Sequence, residues 1–211
     1  MNGLFFYIGL GVGLAAACGV RPFLPVLLAG ALGSAGALGV GFSGHFHFLQ
    51  SDWWLLAVAI AFVLAYAAQL LLGLAPTVDP AAERARGARG IDPLAATLSG
   101  LAYGSGALLF AGTLAEHGDA WWPGILGGLA AVAIAQRAVG PVIARARKRL
   151  PDRPAREALT IYLDAAALLL AGLVALLHPL GYILLALLAW MALGARARAG
   201  EKYAGLRILR R

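Results

Sequence analysis

Gly19-Val20-Arg21-Pro22-Phe23-Leu24-Pro25 interrupts two apolar runs and sets a guanidinium where the flanking hydropathy indicates a membrane interior. Proline fixes φ and offers no backbone N–H, so Pro22 and Pro25 break or restart a helix. A charge at membrane depth is costly unless it is paired, snorkels to the interface or faces water. Residues 3–40 therefore read either as two short spans joined at Arg21 or as a re-entrant hairpin, in both cases a Pro/Gly-broken N-terminal helix pair. A similar entrance recurs at a shift of 71: Gly19 matches Gly90, Pro22 matches Pro93, Leu27 matches Leu98, and Gly33-Ser34 match Gly104-Ser105. Trp53-Trp54 then answer Trp121-Trp122, Gln69 answers Gln136 and Gly73 answers Gly140, at a shift that shortens to 67. Features recurring in one order indicate an internal repeat. The expected units are two-helix segments at about 19–75 and 90–141; since each holds two spans, they share one orientation, as parallel repeats do.

The 211 residues are 61% hydrophobic and 13% charged, with a mean hydropathy of +0.81. Soluble domains are about 45–50% apolar and about 25% charged. This composition predicts an all-α, polytopic transmembrane helical bundle. With roughly 20 apolar residues per crossing, the chain has room for six or seven spans in a single integral membrane domain covering 1–211. A third helix pair is expected at about 157–195, followed by a basic tail at 196–211 that lies on headgroups. The 28 glycines fall mostly inside apolar runs, where small residues let helix backbones approach closely. The lone Cys18 excludes an internal disulfide framework.

In order, apolar runs at about 3–18 and 23–42 precede a polar turn around His45 and His47. Trp53-Trp54 open a span that Pro76 closes, and 77–92 form a first basic loop. Pro93 starts the next span, Trp121-Trp122-Pro123 start another that ends near Gly140-Pro141, and 142–156 form a second basic loop. Spans from about Ala158 to Leu177 and from Leu180 to about Leu193 complete the chain. No positively charged region precedes the first run, so a cleaved signal is not expected. All 17 Lys and Arg residues fall on one side of this arrangement or near it. The positive-inside rule then makes the C-terminus cytoplasmic and places the N-terminus outside the inner (plasma) membrane of a bacterium. The same bias explains the net charge of +7 without nucleic acid. Anionic lipid headgroups at the cytoplasmic face are the expected partners, and a homo-oligomer is compatible with this reading.

Asp164, about two turns into its span, is the sharpest functional candidate. It forms either a register-fixing ion pair with Arg21 or Arg137, or a titratable carboxylate that carries a proton. Arg21 either snorkels or holds an anionic group through its fork of donors. Gln69 and Gln136 occupy matching places where amides hydrogen-bond between helices; with Arg21, Asp164 and Arg137 they make up the candidate substrate or ion pathway. His45, His47, His117 and His178 all fall in outer loops, as weak metal candidates that lack a ligand-type spacing. There is no phosphate-binding Gly loop, zinc-hydrolase helix motif or nucleophile elbow, so neither an enzyme nor a cofactor is expected.

The entrance at 19–25, Pro76-Thr77-Val78-Asp79 and the acidic Asp164 after a basic loop together resemble one family, the small bacterial membrane proteins grouped as domain of unknown function 4126. Its pattern has a Gly-x-Arg/Asn entrance, a later Pro-x-Val-Asp and an acidic pair in a late span. Here Gln69 stands where the family tends to have Glu, Gly73-Leu74 replace an Asp-Lys pair, and Thr160-Ile161-Tyr162-Leu163-Asp164 keep a single acid. The resemblance implies fold and membrane location, not a substrate. Two classes of function follow from the residues: a small transporter or permease-like protein, or a non-transporting scaffold or lipid-binding protein.

Overall fold

The computed structural model describes residues 3–72, 93–150 and 153–207, with the side chains of 69–72, 93–95, 148, 153, 156 and 196–207 outside that description. Among the described residues the chain is all-helical, without strands. Seven α-helices, α1 (Leu4–Val20), α2 (Phe23–Ser34), α3 (Asp52–Leu72), α4 (Pro93–Glu116), α5 (Trp122–Arg149), α6 (Arg153–Leu176) and α7 (Leu180–Arg207), are joined by one 3-10 helix at Gly44–Gln50.

The bundle is built around α1. Every residue from Gly9 to Gly19 is buried, as expected of a helix that is apolar on all faces. Its small residues admit neighbouring backbones: a Cβ on Gly9 would sit 2.6 Å from the His178 carbonyl oxygen, and one on Gly19 would sit 2.6 Å from the Cβ of Ala135. α4, α5, α6 and α7 pack around α1, while α6 and α7, consecutive in sequence, barely touch each other. α3 packs on α2 and the 3-10 helix at the edge of the bundle.

One end of the bundle gathers the short connections. Tyr7 stacks on His117, Ser43 Oγ donates to the Ala115 carbonyl at 3.3 Å, and His178 Nε2 lies 3.0 Å from the Leu38 carbonyl oxygen. The start of α1, the 35–51 segment and the turns at 117–121 and 177–179 therefore share one end, and Arg21 lies toward the other. α2 stops through a Schellman motif: Gly36 at φ +60 lets Ala37 N–H reach Leu32 O and Gly36 N–H reach Gly33 O, satisfying carbonyls a simple end would orphan.

Polarity is distributed inside out. Leu56, Ile60, Leu64, Ile161, Leu169, Ile183 and Leu193 are exposed, whereas Thr113, Arg147, Thr160, Asp164 and His178 are buried. Contiguous apolar surface on this scale needs an apolar surrounding or a partner. Three helical stretches, Ala96–Glu116, Trp122–Arg147 and Glu157–Leu176, are long and apolar enough to cross a membrane. A fourth qualifies if the 3-10 helix and Asp52–Ala68, bent by 53°, count as one span. α1, α2 and the apolar part of α7 are shorter, so the six or seven crossings expected from the sequence go beyond what these lengths establish.

The two expected repeat units agree in part. α2 and α4 run the same way: Pro22 shares a cavity wall with Leu98, and Phe42, beyond the end of α2, would meet a Cβ on Gly112 near the end of α4. A Trp pair opens both α3 and α5. Yet α2 has 12 residues and α4 has 24, so Gly33-Ser34 end a helix while Gly104-Ser105 lie mid-helix. An internal repeat is not established by these helices; Gly73, Gly90 and the 77–92 loop lie outside the described residues.

Three boundaries differ from the sequence reading. The second apolar run is helical only to Ser34. α5 does not stop at Gly140-Pro141 but continues through Pro141 to Arg149, so much of the expected second basic loop is helix. Proline costs a helix one hydrogen bond, yet the helix continues, and on its exposed face Arg145 Nε donates to the Pro141 carbonyl at 3.0 Å. The expected tail is continuous with α7, which runs unbroken to Arg207.

Candidate functional site

Arg21 owes its position to Pro22. A residue before proline is pushed out of the α region, and Arg21 accordingly has φ −153 and ψ 124, with its N–H still bonded to Ala17 O. The helix ends there, and the side chain projects toward α6. On α6, Thr160, Asp164, Ala167, Ala171 and Val174 form a buried stripe at helical spacing. Arg21 Nε and Asp164 Oδ1 meet at 3.2 Å, with both side chains 12% exposed. Asp164 lies about two turns, roughly 10 Å at 1.5 Å per residue, inside the apolar Glu157–Leu176 stretch. An unpaired charge at a helix centre in a bilayer costs about 2.5–3.5 kcal/mol on insertion scales, which gives the pairing a strong reason to persist.

The pair adjoins a cavity of about 90 Å³ between the end of α1, α4 and α5, whose walls include Gly19, Arg21, Ser99, Gln136, Gly140 and Arg147. Ser99 Oγ donates to Gln136 Oε1 at 3.1 Å, joining α4 to α5. Arg147, 7% exposed, donates through Nη2 to Thr160 Oγ1 at 3.4 Å, one turn from Asp164 on α6. Arg21 Nη2 is buried and has no hydrogen-bond partner among the described residues. A buried donor left unsatisfied costs about 1–3 kcal/mol, and more when charged, so this nitrogen needs an acceptor from the cavity.

The candidates named from the sequence separate clearly. Arg21, Asp164 and Gln136 come together. Arg137 is exposed on the outer surface of α5, because one residue along a helix turns the side chain by about 100° from Gln136. The Gln69 side chain lies outside the described residues. His45 and His47 are exposed in the 3-10 helix. His117 Nδ1 lies 2.9 Å from the Thr113 carbonyl oxygen, and His178 contacts the Leu38 carbonyl. Among the described residues no three His, Cys, Asp or Glu side chains gather as metal ligands would.

Two cavity residues escaped the sequence reading. Arg147 falls in the stretch expected as the second basic loop, and Ser99 carries neither a charge nor a motif that singles it out. The usable signal was the spacing of Gln136, Gly140, Ile143 and Arg147, which lie on one helix face once α5 is allowed to continue through Pro141.

A helical bundle with an apolar exterior, a buried Arg–Asp pair and a cavity beside it that two arginines line defines an all-α protein of a kind compatible with a bilayer. The chain belongs to the family described as domain of unknown function (DUF4126), whose model matches residues 8–197. That match covers every residue of the cavity. No curated protein and no solved structure matches the chain.

Proposed function

We propose that the protein is a multi-pass membrane protein of the bacterial inner membrane acting as a small transporter or permease, rather than as an enzyme, with the cavity at Arg21 as its solute site. The observation that carries this reading is the Arg21–Asp164 ion pair inside the apolar bundle, whose Arg21 stands on the cavity wall. Ionisable residues at membrane depth mark substrate and ion pathways, and a carboxylate whose counter-ion can be drawn away is suited to taking up and releasing a proton. The basic end near Arg147 and Arg149 supports a cytoplasmic location for that end and contact there with anionic headgroups. Flux measured on the purified protein in vesicles, wild type against Asp164→Asn, is the test.

An apolar cleft favours the second reading, a lipid-binding or scaffold protein. α2, α3 and α4 enclose about 430 Å³ lined by Phe23, Val26, Trp54, Val58, Leu101 and Leu108, a volume and lining suited to an acyl chain. A protein that retains lipid through purification and carries no flux in vesicles is the outcome this reading expects.

A further inference from the structure

We propose that the cavity between α1, α4 and α5 binds a small oxyanion, of carboxylate or phosphate type, between Arg21 and Arg147. The proposal rests on reading this cavity as a solute site and gives the solute a chemical class.

Among the described residues the charged side chains on the cavity wall are both guanidiniums, and no Asp or Glu lines it. Asp164 approaches Arg21 at Nε, so it secures the side chain while Nη2 remains buried with no partner among the described residues. Arg147 lies close enough to Arg21 for the two positive charges to repel, and an anion between them turns that repulsion into attraction on both sides. Between the guanidiniums, Gln136 uses its carbonyl oxygen to accept from Ser99. With that oxygen engaged, the NH₂ group is left to donate. The lining is mostly apolar, and its few polar side chains present donors, the complement of an oxygen-bearing anion. Guanidinium forks match carboxylate and phosphate geometry, and such charge-assisted bonds are the strong ones. Asp164 offsets the charge of Arg21, and Arg147 leaves the wall positive, which disfavours a cation. Free phosphate and the phosphate of an anionic lipid offer the same chemistry.

The test uses the full chain, purified in neutral detergent and in an oxyanion-free chloride buffer. Sodium phosphate is titrated against sodium chloride at matched ionic strength, followed by calorimetry and thermal unfolding. We expect saturable, phosphate-specific binding that raises Tm by several degrees. Arg147→Gln and the double variant Arg21→Gln/Asp164→Asn should each weaken it at least tenfold. The double variant removes both members of the ion pair together, so neither charge is left buried alone. A second arm repeats the titration in phosphatidylcholine nanodiscs with and without phosphatidylglycerol. Equal phosphate binding in both assigns the site to a free anion; binding lost in phosphatidylglycerol discs assigns it to the lipid's phosphate. A wild-type response no larger than that to chloride overturns the proposal, as does undiminished affinity in the double variant. Equilibrium binding needs no flux: loss of phosphate binding removes the anion class alone, whereas phosphate binding without flux keeps the site and removes transport.

Discussion

Arg21 Nε stands 3.2 Å from Asp164 Oδ1, tying the break between α1 and α2 to the inward face of α6. The two residues are 143 positions apart in the chain, so the contact fixes both the depth of Arg21 and the rotation of α6. Losing one partner of a buried pair leaves the other charge unpaired and costs about 3–5 kcal/mol, whereas removing both is far milder. Arg21→Gln and Asp164→Asn should each lower stability in detergent by that order, and the double variant should recover most of the loss. Denaturant titrations of the four proteins form the cycle that measures the coupling; additive losses would mean that the pair contributes no interaction.

Glycines in the bundle meet backbone, side chains or open space. A Cβ on Gly128 would meet the Gly106 carbonyl oxygen at 2.6 Å, while one on Gly100 or Gly104 meets nothing within 4 Å. Gly128→Ala should force α4 and α5 apart and cost about 1–3 kcal/mol. Gly104→Ala should be neutral or stabilise by up to about 1 kcal/mol, the helix-propensity difference. Thermal unfolding of both variants checks the contrast, and equal effects would contradict the packing described between α4 and α5.

Much of this was legible before the fold was known, for identifiable reasons. Hydropathy located the helices because apolar length is what a bilayer selects, and Pro22, with its fixed φ and missing N–H, marked the break beside Arg21. Asp164 stood out because an acid within an apolar run has few tolerable environments. Of its two possible partners, Arg21 and Arg137, the rotation of α5, which turns Arg137 outward, leaves Arg21. Arg147 was missed because Pro141 outweighed a face continuing through Gln136, Gly140 and Ile143. Lone prolines end helices in water more reliably than in packed bundles, where neighbours can hold the freed backbone. The central place of α1 was not legible either, because a helix apolar on every face carries no signal of which neighbours surround it.

Labelling tests the arrangement of ends. His45 and Asp119 are exposed at the end that holds the start of α1, and Arg149 is exposed toward the other. Cys18 is fully buried, so introduced cysteines should dominate the signal. His45→Cys and Asp119→Cys should react with an impermeant thiol reagent on intact cells, and Arg149→Cys only after the membrane is opened. Labelling of Arg149→Cys together with the other two on intact cells would contradict the sidedness.

Proton flux in proteoliposomes tests the role of Asp164 most directly. Purified protein is reconstituted around a trapped pH-sensitive dye, and an imposed pH gradient is followed with and without protein. Wild type should dissipate the gradient faster than protein-free vesicles. Asp164→Asn, which keeps the shape of the side chain but cannot release a proton, should fall to the protein-free rate while eluting as a folded protein. Flux in Asp164→Asn equal to wild type, or no wild-type flux above protein-free vesicles, would contradict a proton-carrying role for this carboxylate.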